Sequence, residues 1–360
     1  MERISISKPM MGEEEINAVK EVLLSGNLVQ GAKVKDFEAA VARFMGVRHG
    51  VATSSGTTAL HLAVESLGIG SGDEVITTPF TFIASTNCIL YNRAKPVFAD
   101  IDPKTFNIDP ERIEEKITDK TKAVLVVHLY GHPCDMDGIK KICSEHDLKL
   151  IEDCAQAIGS EYHGQKVGSF GEVAALSFYA TKNITTGEGG MLLTNSDTLA
   201  EPSIIRRQHG QKRIYEYEIL GYNYRMTDIQ AAIGIEQMKR IDELNGKRTE
   251  NAKRMSELLS QLKGITVPYE APGNRHVFHQ YTIRVLDGKR DALREYMNGK
   301  GIQTMIYYPQ TTYPESSDNS EKCPEAEKAC KEVLSIPIHP YLKKGDLERI
   351  ANEITRFFRN

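Results

Sequence analysis

Short apolar runs alternate with amphipathic stretches along the first two-thirds of the chain. Residues 73–78 read as a strand, 81–91 as a helix and 96–99 as a further strand. Apolar runs at 122–130, 148–152 and 173–178 continue the rhythm. Alternating elements of this kind predict an α/β fold whose mainly parallel sheet is covered on both faces by helices. After Thr227, a good N-cap, Ile229, Ala232, Ile233, Met238 and Ile241 mark one long helix that leaves the sheet. The expected division is therefore a large domain over 1–245 and a smaller C-terminal α+β domain over 246–360. In the latter, 281–285 reads as a strand, and Leu347, Ile350, Ile354 and Phe357 share one face of a closing helix capped by Asp346. Neither an internal repeat nor a long linker interrupts the pattern.

Composition narrows the function classes without choosing one. The 360 residues can bury a substantial core, and a net charge of -4 gives no support for nucleic-acid binding. The local basic run at 206–213 reads first as a solvated face and second as a site meeting an anionic nucleotide. No run could span a bilayer, and the opening residues have no long apolar core, so a cytoplasmic location without membrane contact is expected. Cysteines at 88, 134, 143, 154, 323 and 330 show no CxxC spacing, which points to reduced thiols.

Three segments carry candidate chemistry. Lys182 follows the strand-like run 173–178 and precedes Thr186-Gly187-Glu188-Gly189-Gly190; Asp153 closes the run that ends in Glu152; Gly56 and Thr57 open a probable helix behind Ser54-Ser55. Pyridoxal 5'-phosphate (PLP) needs an amine for its aldehyde, an acid partner for its ring nitrogen and a cradle for its phosphate. Lys182 offers the amine, Asp153 the acid at the carboxyl end of a strand, and Gly56 and Thr57 the first-turn N–H groups. Each has an ordinary alternative: a solvated lysine, a helix-capping aspartate, a common turn. Their joint occurrence, in this order, favours the cofactor.

The chain resembles the DegT/StrS-like family of nucleotide-sugar aminotransferases, within the fold type I PLP enzymes. The resemblance is carried by Gly56-Thr57-Thr58-Ala59-Leu60, Gly72-Asp73-Glu74-Val75-Ile76, Phe80-Thr81-Phe82-Ile83-Ala84, Pro96-Val97-Phe98-Ala99-Asp100, His128-Leu129-Tyr130-Gly131, Glu152-Asp153-Cys154-Ala155-Gln156, Ser177-Phe178 to Lys182, and Gly221-Tyr222-Asn223-Tyr224-Arg225. It implies a seven-stranded sheet in the large domain, Lys182 bound to the cofactor, and Asp153 on the pyridinium nitrogen. It further implies Gln156 near the ring hydroxyl, Phe82 stacked on the ring face, and Ser177, Gly56 and Thr57 on the phosphate. Asn223 is similar to a residue that reaches the phosphate of the neighbouring subunit, which would make the active form a homodimer. The implied reaction moves an amino group from an amino acid, glutamate by resemblance, to a nucleotide-linked keto sugar, with pyridoxamine 5'-phosphate between the two halves.

Some features sit apart from that picture. Family members often carry His-Tyr-Pro where this chain has Tyr307-Tyr308-Pro309, and the polar stretch 314–325 reads as a surface loop or a lid. His128 reads as a structural histidine before a cleft residue. Strand alternation points Cys154 away from the Asp153 side. Rival functions are a PLP-binding regulatory protein, a sugar dehydratase, which would carry histidine in place of Lys182, and a cysteine desulfurase using Cys323.

Overall fold

Strands that are apolar at almost every position must be covered on both sides, and the central sheet shows this burial. In the computed structural model, which describes residues 3–313 and 322–359, seven strands form it. They are β1 (His49–Thr53), β2 (Glu74–Thr77), β3 (Lys95–Phe98), β4 (Thr121–Val127), β5 (Lys149–Asp153), β6 (Val173–Ser177) and β7 (Gly190–Thr194). Their spatial order is β1-β7-β6-β5-β4-β2-β3. Neighbours from β6 through β3 run parallel, whereas β7 lies antiparallel to both β6 and β1.

Alternation along these strands sends successive residues to different cores. Val75, Ala123, Leu125, Val127 and Ile151 pack beneath α2 (Gly56–Ser66) and α3 (Ala84–Tyr91). On the other face, Ile76, Val124, Val126 and Leu150 meet α4 (Met136–Glu145), while Ala174, Leu176, Met191 and Leu193 meet α1 (Ala32–Met45). The expected α/β sheet between helices is what the chain forms.

A second, antiparallel sheet contains β8 (Ile265–Thr266), β9 (Tyr281–Val285) and β10 (Val333–Ile336), with β9 in the middle. Helix α6 (Ile241–Leu259) joins the two cores: Ile241 and Leu244 pack with the large sheet, Ala252, Met255 and Leu259 with the small one. Leu347, Ile350 and Ile354 of α8 (Lys344–Arg359) are buried in that same core, together with Ile4 from the start of the chain.

Several boundaries differ from the sequence reading. The long helix is two, because Arg240 leaves the helical region (φ -115°, ψ 5°) between α5 (Asp228–Met238) and α6. Residues 81–83 form a turn before α3, where the Thr81 hydroxyl meets that of Ser85. Strand β4 stops at Val127, and Leu129–Gly131 turns back with positive φ at Tyr130. Asp346 lies inside the first turn of α8 and accepts from the Lys343 N–H at 2.9 Å. The expected loop over 314–325 falls mostly outside the described residues; its end, Cys323 to Glu325, leads into helix α7 (Pro324–Glu332).

Candidate active site

Parallel strands direct their carboxyl ends to one edge of the sheet, where open α/β proteins hold ligands. Here β4, β5 and β6 deliver Val127, Asp153 and Ser177 to a cavity of about 700 Å³. Gly56, Thr57, Phe82, Gln156 and Lys182 line it too. Seven of the eight residues singled out from sequence therefore meet in one place. A cleft of about 760 Å³ opens at the opposite edge, beside the starts of β4 and β5. Asp73, Asp119, Lys122 and Lys149 line it with mixed charge.

Lys182 is partly accessible to the cavity, yet its amine is surrounded by protein. Burial lowers its pKa from 10.5 to about 8, and the negative charge of Asp153 opposes that fall. Burial pushes the Asp153 carboxyl up, while the Ala155 N–H, the Ser85 hydroxyl and the Lys182 charge pull it down. Asp153 Oδ1 accepts from Ala155 N at 3.0 Å and Oδ2 from Ser85 Oγ at 2.7 Å. Burial is the larger influence and the Asp153 carboxyl stands above its ordinary value, so the pair combines an amine that exchanges its proton near neutral pH with a carboxyl whose charge depends on these partners.

The start of α2 supplies an anion cradle. Ser55 caps it by accepting from Thr58 N at 3.2 Å, and Ala59 N bonds Ser55 O, whereas the Gly56 and Thr57 amides have no partner among the described residues. Such unpaired first-turn donors favour an anion. Two glycines make the approach possible: a Cβ on Gly56 would lie 2.7 Å from Ser177 Cβ, and one on Gly190 would lie 2.2 Å from Ser55 O. The glycine-dense segment after Lys182 is therefore fixed by contact with the cradle.

Gln156 is oriented by its neighbours. Its Oε1 accepts from Tyr130 N at 2.8 Å, so Nε2 faces Tyr308 and donates to that hydroxyl at 3.1 Å. Burial raises the Tyr308 pKa, with the Asp153 charge adding to it, and the phenol keeps its proton. The aromatic replacement at Tyr307-Tyr308 is consequently part of the cavity wall, where Phe82 sits 6.3 Å from the Tyr308 ring centroid. Phe82 itself is 55% exposed at the mouth.

Sequence reasoning missed Ser85 and His279, quoted Thr81 without a role, and named Tyr308 only as a departure from the family pattern. The His279 environment comes from contacts distant in the chain. Asn245 Nδ2 donates to Ile158 O, so Asn245 Oδ1 accepts from Asn183 Nδ2 at 2.7 Å and Asn183 Oδ1 faces His279 Nδ1 at 3.1 Å. The proton of His279 then resides on Nδ1. Burial holds its pKa well below the usual range, reinforced by the charges of Lys182 and Arg248. No local motif signals this arrangement.

Other candidates lie apart from the cavity. Asn223 is exposed and does not line its own chain's cavity. His128, Glu152 and Cys154 cluster closely enough to resemble a metal site. Their donors and acceptors are already committed: Glu152 accepts from His128 Nε2 and from the amides of Gly168, Phe170 and Gly171, and His128 Nδ1 accepts from Cys134 N. The structural reading of His128 and the packing role of Cys154 follow. The basic run is not simply a solvated face, since Arg206 pairs with Glu65 at 3.2 Å and the buried Arg207 with Glu38 at 2.5 Å. Cys323 is buried ahead of α7, unlike the exposed nucleophile a desulfurase needs.

A model of the DegT/DnrJ/EryC1/StrS aminotransferase family matches residues 9–355. The chain belongs to this family. It is an aminotransferase with the fold type I architecture. Among its relatives, a protein of Geobacillus stearothermophilus named "Pleiotropic regulatory protein" is 43% identical, over 96% of this chain and 95% of that one. GDP-perosamine synthase of Caulobacter vibrioides is 40% identical, over 97% and 96%. The solved structure of NtdA from Bacillus subtilis with bound cofactor PMP has a TM-score of 0.90 and 32% identity, covering 97% of this chain and 82% of that one.

Proposed function

We propose that this aminotransferase works on a nucleotide-linked keto sugar, with pyridoxal phosphate held in the cavity at the carboxyl ends of β4, β5 and β6. The observation that carries this reading is the convergence there of Lys182, Asp153 and the unpaired Gly56 and Thr57 amides. They match the three needs of the cofactor: an amine, a carboxylate for the ring nitrogen, and an anion cradle that Ser177 completes. When bound, the cofactor supplies an electron sink and carries the amino group between substrates.

The chain's own groups then divide the work. Lys182 tethers the cofactor and, once freed, takes a proton from the donor's α-carbon and returns one to the acceptor. Its pKa of about 8 leaves both protonation states populated near neutral pH. Asp153 stabilises positive charge at the far side of the ring throughout. The linked Gln156 and Tyr308 line the cavity where they would meet the ring hydroxyl, and Phe82 would cover a face. Glutamate is the proposed donor.

A second copy of the chain belongs to this reading. Phe82 and Tyr179 are exposed where they line the cavity and Ile83 is exposed next to Phe82, while Ile214 and Tyr215, 80% and 81% exposed, form the tip of the hairpin whose base pairs Gln208 with Asn223. A homodimer would cover this surface and bring Asn223 to the neighbour's phosphate cradle. The division of each subunit into 1–245 and 246–360 and a cytoplasmic location complete the proposal. Among the described residues no helix is long and apolar enough to cross a membrane, and all six cysteines are buried.

The experiment is transfer from ¹⁵N-labelled glutamate to a panel of nucleotide-linked 3-keto and 4-keto sugars, followed by mass spectrometry. Labelled amino sugar from one member supports the reading; release of 2-oxoglutarate with no labelled sugar from any removes the sugar acceptor. A regulatory role is the second reading, favoured by the name of the Geobacillus relative. It predicts cofactor binding without amino transfer.

A further inference from the structure

We propose that Ser85, aligned by Thr81, is the positioning residue that keeps the Asp153 carboxylate ionised and turned toward the cavity. The inference rests on the reading that Asp153 faces the cofactor's ring nitrogen. Its own foundation is a chain of hydrogen bonds in which the protons can be counted. Ser85 Oγ lies 2.7 Å from Asp153 Oδ2 and 3.0 Å from Thr81 Oγ1. All three side chains are buried, and Thr81 also lines the cavity.

A serine hydroxyl has one proton. An ionised carboxylate only accepts, so Ser85 gives that proton to Asp153, and Thr81 in turn donates to Ser85. With the Ala155 N–H on Oδ1, each carboxylate oxygen then has one donor within the protein and a lone pair left for a ligand. Protonating Asp153 on Oδ2 reverses the row, so that the acid donates to Ser85 and Ser85 to Thr81; protonating it on Oδ1 leaves Ser85 donating to a neutral carbonyl, a weaker bond than one to a carboxylate. The ordered row therefore favours the charged form, as a charge-assisted bond to a buried carboxylate does.

The remaining groups acting on Asp153 do not replace Ser85. The Lys182 charge favours its ionised form. Tyr308, Cys88, Cys134 and Cys154 surround it as groups whose own ionisation burial and the nearby carboxylate oppose. None of these side chains has a recorded hydrogen bond to its carboxylate oxygens. Ser85 is the side chain that does.

The test is the pH dependence of PLP dissociation from the holoenzyme, read by equilibrium dialysis for wild type, Ser85→Ala, Ser85→Thr, Thr81→Val and Asp153→Asn. Ser85→Ala is expected to weaken PLP retention about tenfold at neutral pH and to move its acid limb up by about one pH unit. Ser85→Thr keeps the donor and restores both readings; Thr81→Val moves the limb the same way by less. A packing role would lower thermal stability while leaving the acid limb in place. Wild-type retention and limb in Ser85→Ala, alongside loss in Asp153→Asn, overturn the role of Ser85. Wild-type behaviour of Asp153→Asn overturns the Asp153 reading itself. If Ser85→Ala does not fold, an unmoved limb in Thr81→Val overturns the proposal.

Discussion

Glu152 and Asp153 are consecutive carboxylates on β5, yet they face opposite sides of the sheet and meet different fates. Glu152 is enclosed by four donors, three of them backbone amides from the segment that precedes β6, and it closes that loop onto the strand. Asp153 takes one backbone amide and one serine hydroxyl, and the cavity lies before it. Burial is nearly equal, with Glu152 0% and Asp153 5% exposed, so depth does not separate them. Unused acceptor capacity does. A buried carboxylate whose oxygens are filled by the chain holds structure; one left with open lone pairs beside a titratable amine is available for chemistry.

Replacement of Lys182 gives the largest expected effect on the Asp153 side. Lys182→Ala should lower amino transfer by at least about 10³-fold, since tether and proton carrier are lost together; steady-state turnover of glutamate reads it, and wild-type turnover would remove Lys182 from the mechanism. The direct contrast comes next. Asp153→Asn should cost roughly 10²-fold in turnover with little change in melting temperature. Glu152→Gln turns an amide group toward hydrogen-bond donors and should destabilise by about 2–3 kcal/mol while the folded fraction remains active. Turnover and denaturation measured on both variants decide it, because reversed outcomes would exchange the two roles.

Mixed dimers probe how far the reactive side extends beyond one chain. If Asn223 completes the neighbour's cradle, random pairing of Lys182→Ala and Asn223→Ala chains leaves one intact site in half of the dimers, restoring about a quarter of wild-type activity. Rescue near zero would confine the site to one subunit. A finer test follows PLP uptake by the apoprotein. The rate should rise about tenfold per pH unit below the Lys182 pKa of about 8 and level above it. Asp153→Asn removes the charge that raises this pKa and should move the plateau to lower pH; an upward move contradicts the sign.

The sequence exposed the lining of the cavity unevenly. Lys182, Asp153, Gly56 and Thr57 were legible because a strand end and a helix start fix such residues through their immediate neighbours. The parallel sheet was legible because its strands are apolar on both faces. The reversal at β7 left no signal, since the five buried residues of Gly190–Thr194 look alike in either direction. Ser85 and His279 were illegible for a different reason: their partners lie 68 and 96 residues away. The break between α5 and α6 was hidden because apolar spacing continues through it to Ile241 and Leu244.

Borohydride reduction of the PLP-loaded protein, followed by peptide mass spectrometry, tests the central assignment most directly because it needs neither the sugar nor the donor. The account predicts a single phosphopyridoxyl-modified peptide, with the group on Lys182. Modification of another lysine, or none at stoichiometric PLP, would contradict it.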